Sequence, residues 1–323
     1  MIRKFFILFL TLSSLTFADY TLKDGKLVER EPLATQSVQE HYSALIQHYE
    51  KQDWRQLEKE AQIVIKNFPS TPFARDAAYF IGAAYFHLED YEMANHHLTN
   101  YLTHQATPKY FEEAIRYKFQ IAEKFRFGAR KHLMGFKSLP RWAPAGTEAI
   151  EIYDEVISAL PHDDLAAQSL YGKAGVYAKN EDYRAAIESY RTVIRRFPKH
   201  PLAIESYISV GEVYLKQSRL EYPDPDLVDL AELNLKKFRT SFPGEEKIAI
   251  AHQNYVQMQE LYVGSFFETA RFYERTNKWG AAKIYYMKIV KSYPDSYLAK
   301  KSQERLDIVI AKIAKIEAKK PKK

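Results

Sequence analysis

One short pattern returns six times along the 323 residues, and it constrains the fold more than any other feature. An aromatic or small residue is followed three positions later by Ala, and an aromatic or Leu followed by Pro closes the unit. The copies are Trp54/Leu57/Phe68-Pro69, Tyr91/Ala94, Gly146/Ala149/Leu160-Pro161, Tyr183/Ala186/Phe197-Pro198, Val228/Ala231/Phe242-Pro243 and Trp279/Ala282/Tyr293-Pro294. In five units the Pro lies 15 residues after the start, and in five the third step is Ala, so the period is regular despite variable spacing. The second unit has Ala106 where Pro would fall. A period of this length marks stacked helix pairs, each burying its apolar face only against its neighbours. Such a stack offers a binding surface rather than an enclosed catalytic pocket.

Each unit has the same internal plan. A first helix carries a small residue and then an aromatic three positions on, as in Gly82/Tyr85, Ala122/Phe125, Ala174/Tyr177, Gly211/Tyr214 and Ala270/Tyr273. The small side chains let two helix backbones approach closely, and the aromatics fill the volume beside them. A polar turn follows, then a second helix carrying the repeat Ala. Proline cannot continue that helix and pushes the residue before it out of helical geometry. Only 11 Gly and no regular strand alternation favour an all-helical chain. The small–aromatic pair, the second-helix Ala and the terminal Pro match the tetratricopeptide repeat. The expectation is an all-α tetratricopeptide-repeat solenoid of about six helix pairs over residues 37–316, closed by a C-terminal capping helix. N-terminal units occupy 37–145 and C-terminal units 146–316. Unit starts are more widely spaced than the roughly 34 residues of an ideal repeat. The surplus falls in insertions at Phe127–Ala145 and Leu220–Asp226 and in a long first helix between Gly244 and Asn277. Ser296–Ile316 reads as the cap, with Leu298, Leu306, Val309, Ile310 and Ile313 on its inner side.

The chain ends differ from the array. Arg3 and Lys4, an apolar run from Phe5 to Leu12 and small residues up to Ala18 read as a cleaved secretory signal over 1–18. Residues 19–36 read as an extended lead-in, and 317–323 as a basic, solvated tail. No Cys is present, which leaves no disulfide, thiolate metal site or Cys nucleophile, and no thiol for an N-terminal lipid anchor.

Catalytic signatures are missing. The sequence has no Gly-rich phosphate loop, no His-Glu-x-x-His and no Ser-nucleophile motif. The ten His residues are scattered. His96 and His97 are adjacent, and neighbours on a helix point about 100° apart, a poor joint ligand set. His162-Asp163-Asp164 reads as a turn and helix N-cap. The expectation is therefore no enzyme, no cofactor and no metal. Basic residues interleave with aromatics in the first insertion, a pattern that nucleic-acid sites share. The export signal argues against nucleic acid, so Arg130, Lys131, Phe136, Arg141 and Trp142 are read as a partner-binding insertion. First-helix positions expected to line a peptide groove are Tyr42, Tyr49, Asp76, Tyr79, Phe86, Arg116, Phe119, Glu123 and Arg126. Aromatic side chains give large contact area at low entropy cost, and Arg can hold a carboxylate.

Beyond the generic repeat, the chain resembles the D component of the outer-membrane β-barrel assembly machinery, the BamD (ComL) family. The carriers are Gln52-Asp53-Trp54-Arg55-Gln56-Leu57 running to Phe68-Pro69-Ser70, Gly82-Ala83-Ala84-Tyr85, the insertion after Phe125, and Phe267–Arg275 with Trp279-Gly280-Ala281-Ala282 and Tyr293-Pro294-Asp295. The resemblance covers most of 37–310. It implies a non-enzymatic periplasmic scaffold at the inner face of the outer membrane. The N-terminal groove would receive the aromatic-ended C-terminal strand of an unfolded barrel protein, with Tyr79, Phe86, Arg116 and Arg126 contributing. The C-terminal units would dock the barrel insertase. Two features depart from that family: Ala18 leads to Asp19 with no Cys to acylate, and six units stand where five are usual. Membrane association would then run through partners. A different exported repeat adaptor, serving cell-envelope or cell-division complexes, is the alternative reading.

Overall fold

The computed structural model describes residues 20–23, 26–29, 33–104, 106–133, 139–220 and 224–318. The signal segment, most of the basic tail and Phe136 lie outside the described residues. Seventeen elements follow in order among them: β1 Tyr20–Lys23, β2 Lys26–Glu29, α1 Val38–Glu50, α2 Trp54–Asn67, α3 Pro72–His87, α4 Tyr91–Thr103, α5 Phe111–Arg126, β3 Arg130–Lys131, β4 Ala143–Pro144, α6 Gly146–Ala159, α7 Asp164–Lys179, α8 Tyr183–Arg196, α9 Pro201–Leu220, α10 Pro225–Ser241, α11 Ile248–Arg275, α12 Trp279–Ser292 and α13 Tyr297–Ala318. The fold is an all-α tetratricopeptide-repeat array, as the sequence pattern requires.

The turn inside each helix pair is the same local device. Gln52, Glu89, Glu181 and Asn277 sit at φ 58°, 61°, 65° and 59°, and the next helix begins two residues later at Trp54, Tyr91, Tyr183 and Trp279. In each case the following N–H reaches back five residues, as Asp53 to the His48 carbonyl at 2.9 Å and Asp182 to the Tyr177 carbonyl at 3.0 Å. A left-handed residue at this point satisfies carbonyls that a helix end leaves unpaired. Asp53, Asp90 and Asp182 then cap the second helix by accepting from the backbone N–H three residues on.

The second helices end just as uniformly. Phe68, Leu160, Phe197, Phe242 and Tyr293, each followed by Pro, have φ between −127° and −135° and ψ between 45° and 67°. This is the displacement from helical ψ that a following proline imposes. The fifth second helix starts at Pro225, not at Val228 as the repeat offset implies. Asp224 caps it, and Pro at the first helical position has a φ already suited to the helix.

Packing rests on the repeat positions. Leu57, Ala94, Ala149, Ala186 and Ala282 are fully buried, and Ala231 nearly so. A Cβ on Gly82 would lie 2.8 Å from Leu98 Cγ, so α3 and α4 approach too closely there for any side chain. In α13, Leu306 and Val309 are buried with Val263, Phe267, Tyr286 and Ile289, while Leu298 and Ile313 pack against them. Ile310, expected on that inner side, is 43% exposed, because its place on the helix turns it away from α11 and α12.

Three features add to the sequence reading. Residues 20–29 of the lead-in form an antiparallel hairpin with Tyr20 opposite Glu29 and Leu22 opposite Leu27. Asp24 and Gly25, which follow β1 in sequence, lie outside the described residues. Residues 34–36 are also tied down. Ala34 N–H donates to Asn67 Oδ1 at 3.2 Å, and the N–H groups of Thr35 and Gln36 donate to His41 Nε2 at 3.3 Å. Finally, the chain divides into two compact units between Tyr117 and Lys118, inside α5.

Placing a large side chain at a repeat Ala should overpack the pair. Ala282→Leu is expected to cost about 1–3 kcal/mol, read as a lower thermal midpoint by circular dichroism. Ile284→Ala, two residues on but 67% exposed, should stay within about 0.5 kcal/mol of the parent.

Candidate binding surfaces

The first unit carries an interlocked aromatic cluster on α1, α3 and the start of α5. Tyr42 packs on Phe73 at 4.9 Å, Tyr49 meets Phe80 edge-on at 5.0 Å, and Phe86 contacts Tyr117 at 5.1 Å. Tyr79 stacks on Tyr110 at 4.5 Å. Offset and edge-to-face pairs of this kind add about 0.5–1.5 kcal/mol each beyond their buried area. Burial, and then the nearby Tyr49 phenol, push the Tyr79 and Tyr117 hydroxyls well above the usual phenol range, so the cluster stays uncharged.

Not every expected groove residue faces outward. Tyr79 is 2% exposed and belongs to the core, because it is covered by Phe80, Tyr101 and Tyr110. Asp76 is already engaged: its Oδ2 accepts from the Tyr42 hydroxyl at 3.0 Å and pairs with Lys109 at 3.6 Å. Tyr42, Tyr49 and Phe86 remain half-buried. Arg116, one residue before Tyr117, is exposed and makes no hydrogen bond or ion pair among the described residues.

Trp54, His87 and Tyr117 lie on this surface outside the expected groove positions. Trp54 stacks flat on His87, with centroids 3.8 Å apart and 7° between the planes. His87 Nε2 lies 3.2 Å from the Tyr117 hydroxyl. Trp54 marked a repeat start, which hid its second role, and His87 fits no motif at all. Partial burial holds the His87 imidazole below its ordinary pKa of 6.5. The folded state therefore binds this proton less readily than the unfolded chain, and stability contributed by neutral His87 is lost as pH falls below about 6.5. Replacing His87 with Gln should flatten the decline in unfolding free energy between pH 7 and 5, measured by urea titration at each pH.

The second unit holds the remaining expected groove residues. Glu123 accepts from Arg126 Nε at 3.0 Å and Nη2 at 2.6 Å, and it also accepts the Tyr153 hydroxyl. Arg126, expected to hold a substrate carboxylate, is thus paired with a carboxylate of its own helix, and its guanidinium lies 4.1 Å from the Phe127 ring. Phe119 is half-buried against Tyr153 at 6.3 Å. This network requires Gly172, where a Cβ would meet the Tyr153 hydroxyl at 2.6 Å.

The first insertion is built onto a finished turn. Gly128 has φ 109°, and Ala129 N–H reaches back to the Lys124 carbonyl at 2.9 Å, so α5 ends as the other first helices do. The second helix would begin near residue 130 but begins at Gly146, after β3 and β4 have paired Arg130 with Pro144 and Lys131 with Ala143. Lys131 pairs with Glu148 on α6. Arg141 Nε lies 3.4 Å from His132 Nε2, and Arg130 Nη1 donates to the Trp142 carbonyl at 3.3 Å. Trp142 is 66% exposed. Between the insertion and the end of α7 lies a cleft of about 370 Å³ with Phe125, Trp142 and Val176 on its walls and Arg126, Arg130 and Lys179 around it. Among the described residues no group of three or more His, Cys, Asp or Glu could hold a metal, and no helix is long and apolar enough to cross a membrane.

A family model described as YfiO, outer membrane lipoprotein, matches residues 145–323. The chain belongs to this family. The resemblance to BamD drawn from the sequence therefore holds, since YfiO proteins are the BamD-like lipoproteins. The match lies wholly within the second unit and does not reach the residues where a lipidated Cys would be sought; the sequence contains no Cys. No curated protein matches the chain. Among solved structures, similarity extends to the MamA protein (18% identity, 66% of this chain and 93% of that one, TM-score 0.40). It extends also to a tetratricopeptide repeat protein from Parabacteroides merdae (11% identity, 84% and 98%, TM-score 0.39). A third is the Rap conjugation regulator of plasmid pLS20 in complex with the Phr* peptide (12% identity, 85% and 74%, TM-score 0.30). Likenesses at this level say nothing about ligand or partner. Family and repeat fold together support a repeat scaffold in outer-membrane protein assembly.

Proposed function

We propose that the chain is a non-catalytic periplasmic scaffold that receives unfolded β-barrel proteins at the inner face of the outer membrane and docks the barrel insertase. Membrane association runs through these partners. The observation that supports substrate binding most directly is the aromatic surface of the first unit. Tyr42, Tyr49, Trp54, Phe86 and Tyr117 present half-buried rings, and Arg116, exposed one residue before Tyr117 on α5, has no hydrogen-bond or ion-pair partner among the described residues. Rigid aromatics suit the alternating aromatic side chains of a barrel strand, and an unpaired guanidinium suits its terminal carboxylate. Docking of the insertase is assigned to the C-terminal units, α6 to α13, and the first insertion is a contact with an assembly partner.

Titration with a C-terminal barrel-derived peptide ending in Phe tests the substrate assignment. Phe86→Ala with Arg116→Ala is expected to weaken binding at least tenfold, since anchor residues of this type typically contribute about 2 kcal/mol each. Amidating the peptide terminus should reproduce the Arg116 part of the loss. Unchanged affinity in the double variant would remove the proposal for this surface. Recovery of peptidoglycan-linked proteins instead of a barrel insertase in affinity capture from envelope membranes would remove the assembly reading itself.

A further inference from the structure

The cleft between the first insertion and the end of α7 is electrostatically unbalanced. Of the three cations around it, Arg126 is neutralised by Glu123. Among the described residues Arg130 meets only the neutral carbonyl of Trp142. Lys179, at the end of α7, makes no hydrogen bond or ion pair among the described residues. None of the described residues that line the cleft is acidic. The walls are apolar, with Phe125 and Val176 buried at the base and the Trp142 ring standing open at the rim. Two uncompensated cations beside low-dielectric walls attract a carboxylate more strongly than the same cations in water. An exposed indole beside them offers contact area to an apolar side chain.

We infer that this cleft binds a short acidic segment of a partner protein, with an Asp or Glu carboxylate held between Arg130 and Lys179 and an adjacent aromatic or aliphatic side chain packed on Trp142. A cavity of about 370 Å³ lies within the usual range of ligand clefts. Its concavity favours a chain segment over a membrane surface, which is flat and engages protruding residues. The neutralised Arg126 supports the same assignment. Its bond with Glu123 fixes the base of the cleft, so selectivity falls to Arg130 and Lys179. The inference rests on reading the insertion as a partner contact, and it is independent of the aromatic surface on the first unit.

The full chain contains three Trp residues, so Trp54→Phe with Trp279→Phe leaves Trp142 as the only indole reporter. The probe is a terminally blocked tetrapeptide, Glu-Phe-Asp-Leu, with its amide counterpart Gln-Phe-Asn-Leu as control. The acidic peptide should give a saturable shift in Trp142 emission. The amide peptide should bind at least tenfold more weakly, and Arg130→Gln with Lys179→Gln should impose a similar loss. Isothermal titration of the same peptides into the chain with all three Trp residues intact should repeat this order, which guards against a folding defect in the reporter. Equal affinity for both peptides, or no effect of the double variant, overturns the inference. So does an inert peptide together with a Trp142 shift on phosphatidylglycerol-containing vesicles, which would assign the cleft to a lipid surface. None of these outcomes bears on the Phe86 and Arg116 titration.

Discussion

One buried repeat position in each helix pair carries the array. At Ala94, Ala149, Ala186 and Ala282 the second helix of each pair is fully buried, and at Gly82 even a methyl group would collide with Leu98. Tight contact at one point makes the rest of each interface small and exact in volume, so the aromatics that flank it must fill defined spaces. The left-handed turn and the terminal Pro serve that contact. They fix where the second helix begins and ends, so its Ala meets the first helix in register.

This modularity explains how the third unit accepts its insertion. The turn at Gly128 closes α5 through backbone bonds alone and needs no particular second helix after it. The chain can therefore leave the repeat, pair β3 with β4, and return at Gly146 with Ala149 still buried. Loop closure grows slowly with loop length, so such an excursion costs little. It adds the cationic, aromatic-walled cleft that a regular repeat would lack. Tyr153 then reaches from α6 to Glu123 on α5, the same carboxylate that pairs with Arg126.

Helix existence, helix ends and repeat core positions were legible in the sequence because each depends on local chemistry: Pro after the second helix, Asp before it, Ala at its third step. The long α11 and the cap α13 were legible for the same reason. The pairing of β1 with β2 was not legible, because the few residues of the lead-in offered little alternation to weigh against a helical chain. The start at Pro225 was missed because the repeat offset outweighed the Asp224 cap.

Which side chains face a ligand was legible only in part. Sequence alone determined the fold class, the units and the list of aromatic and basic residues available for binding, since period and turn chemistry act between residues close in the chain. Only tertiary structure decided how those residues are used. Tyr79 is covered by Tyr101 and Tyr110, Asp76 is occupied by Tyr42 and Lys109, and Arg126 is occupied by Glu123, whereas Arg116 and Lys179 have no hydrogen-bond or ion-pair partner among the described residues. Burial and charge pairing depend on residues brought together from distant turns of the chain, and no spacing rule within one helix reports them.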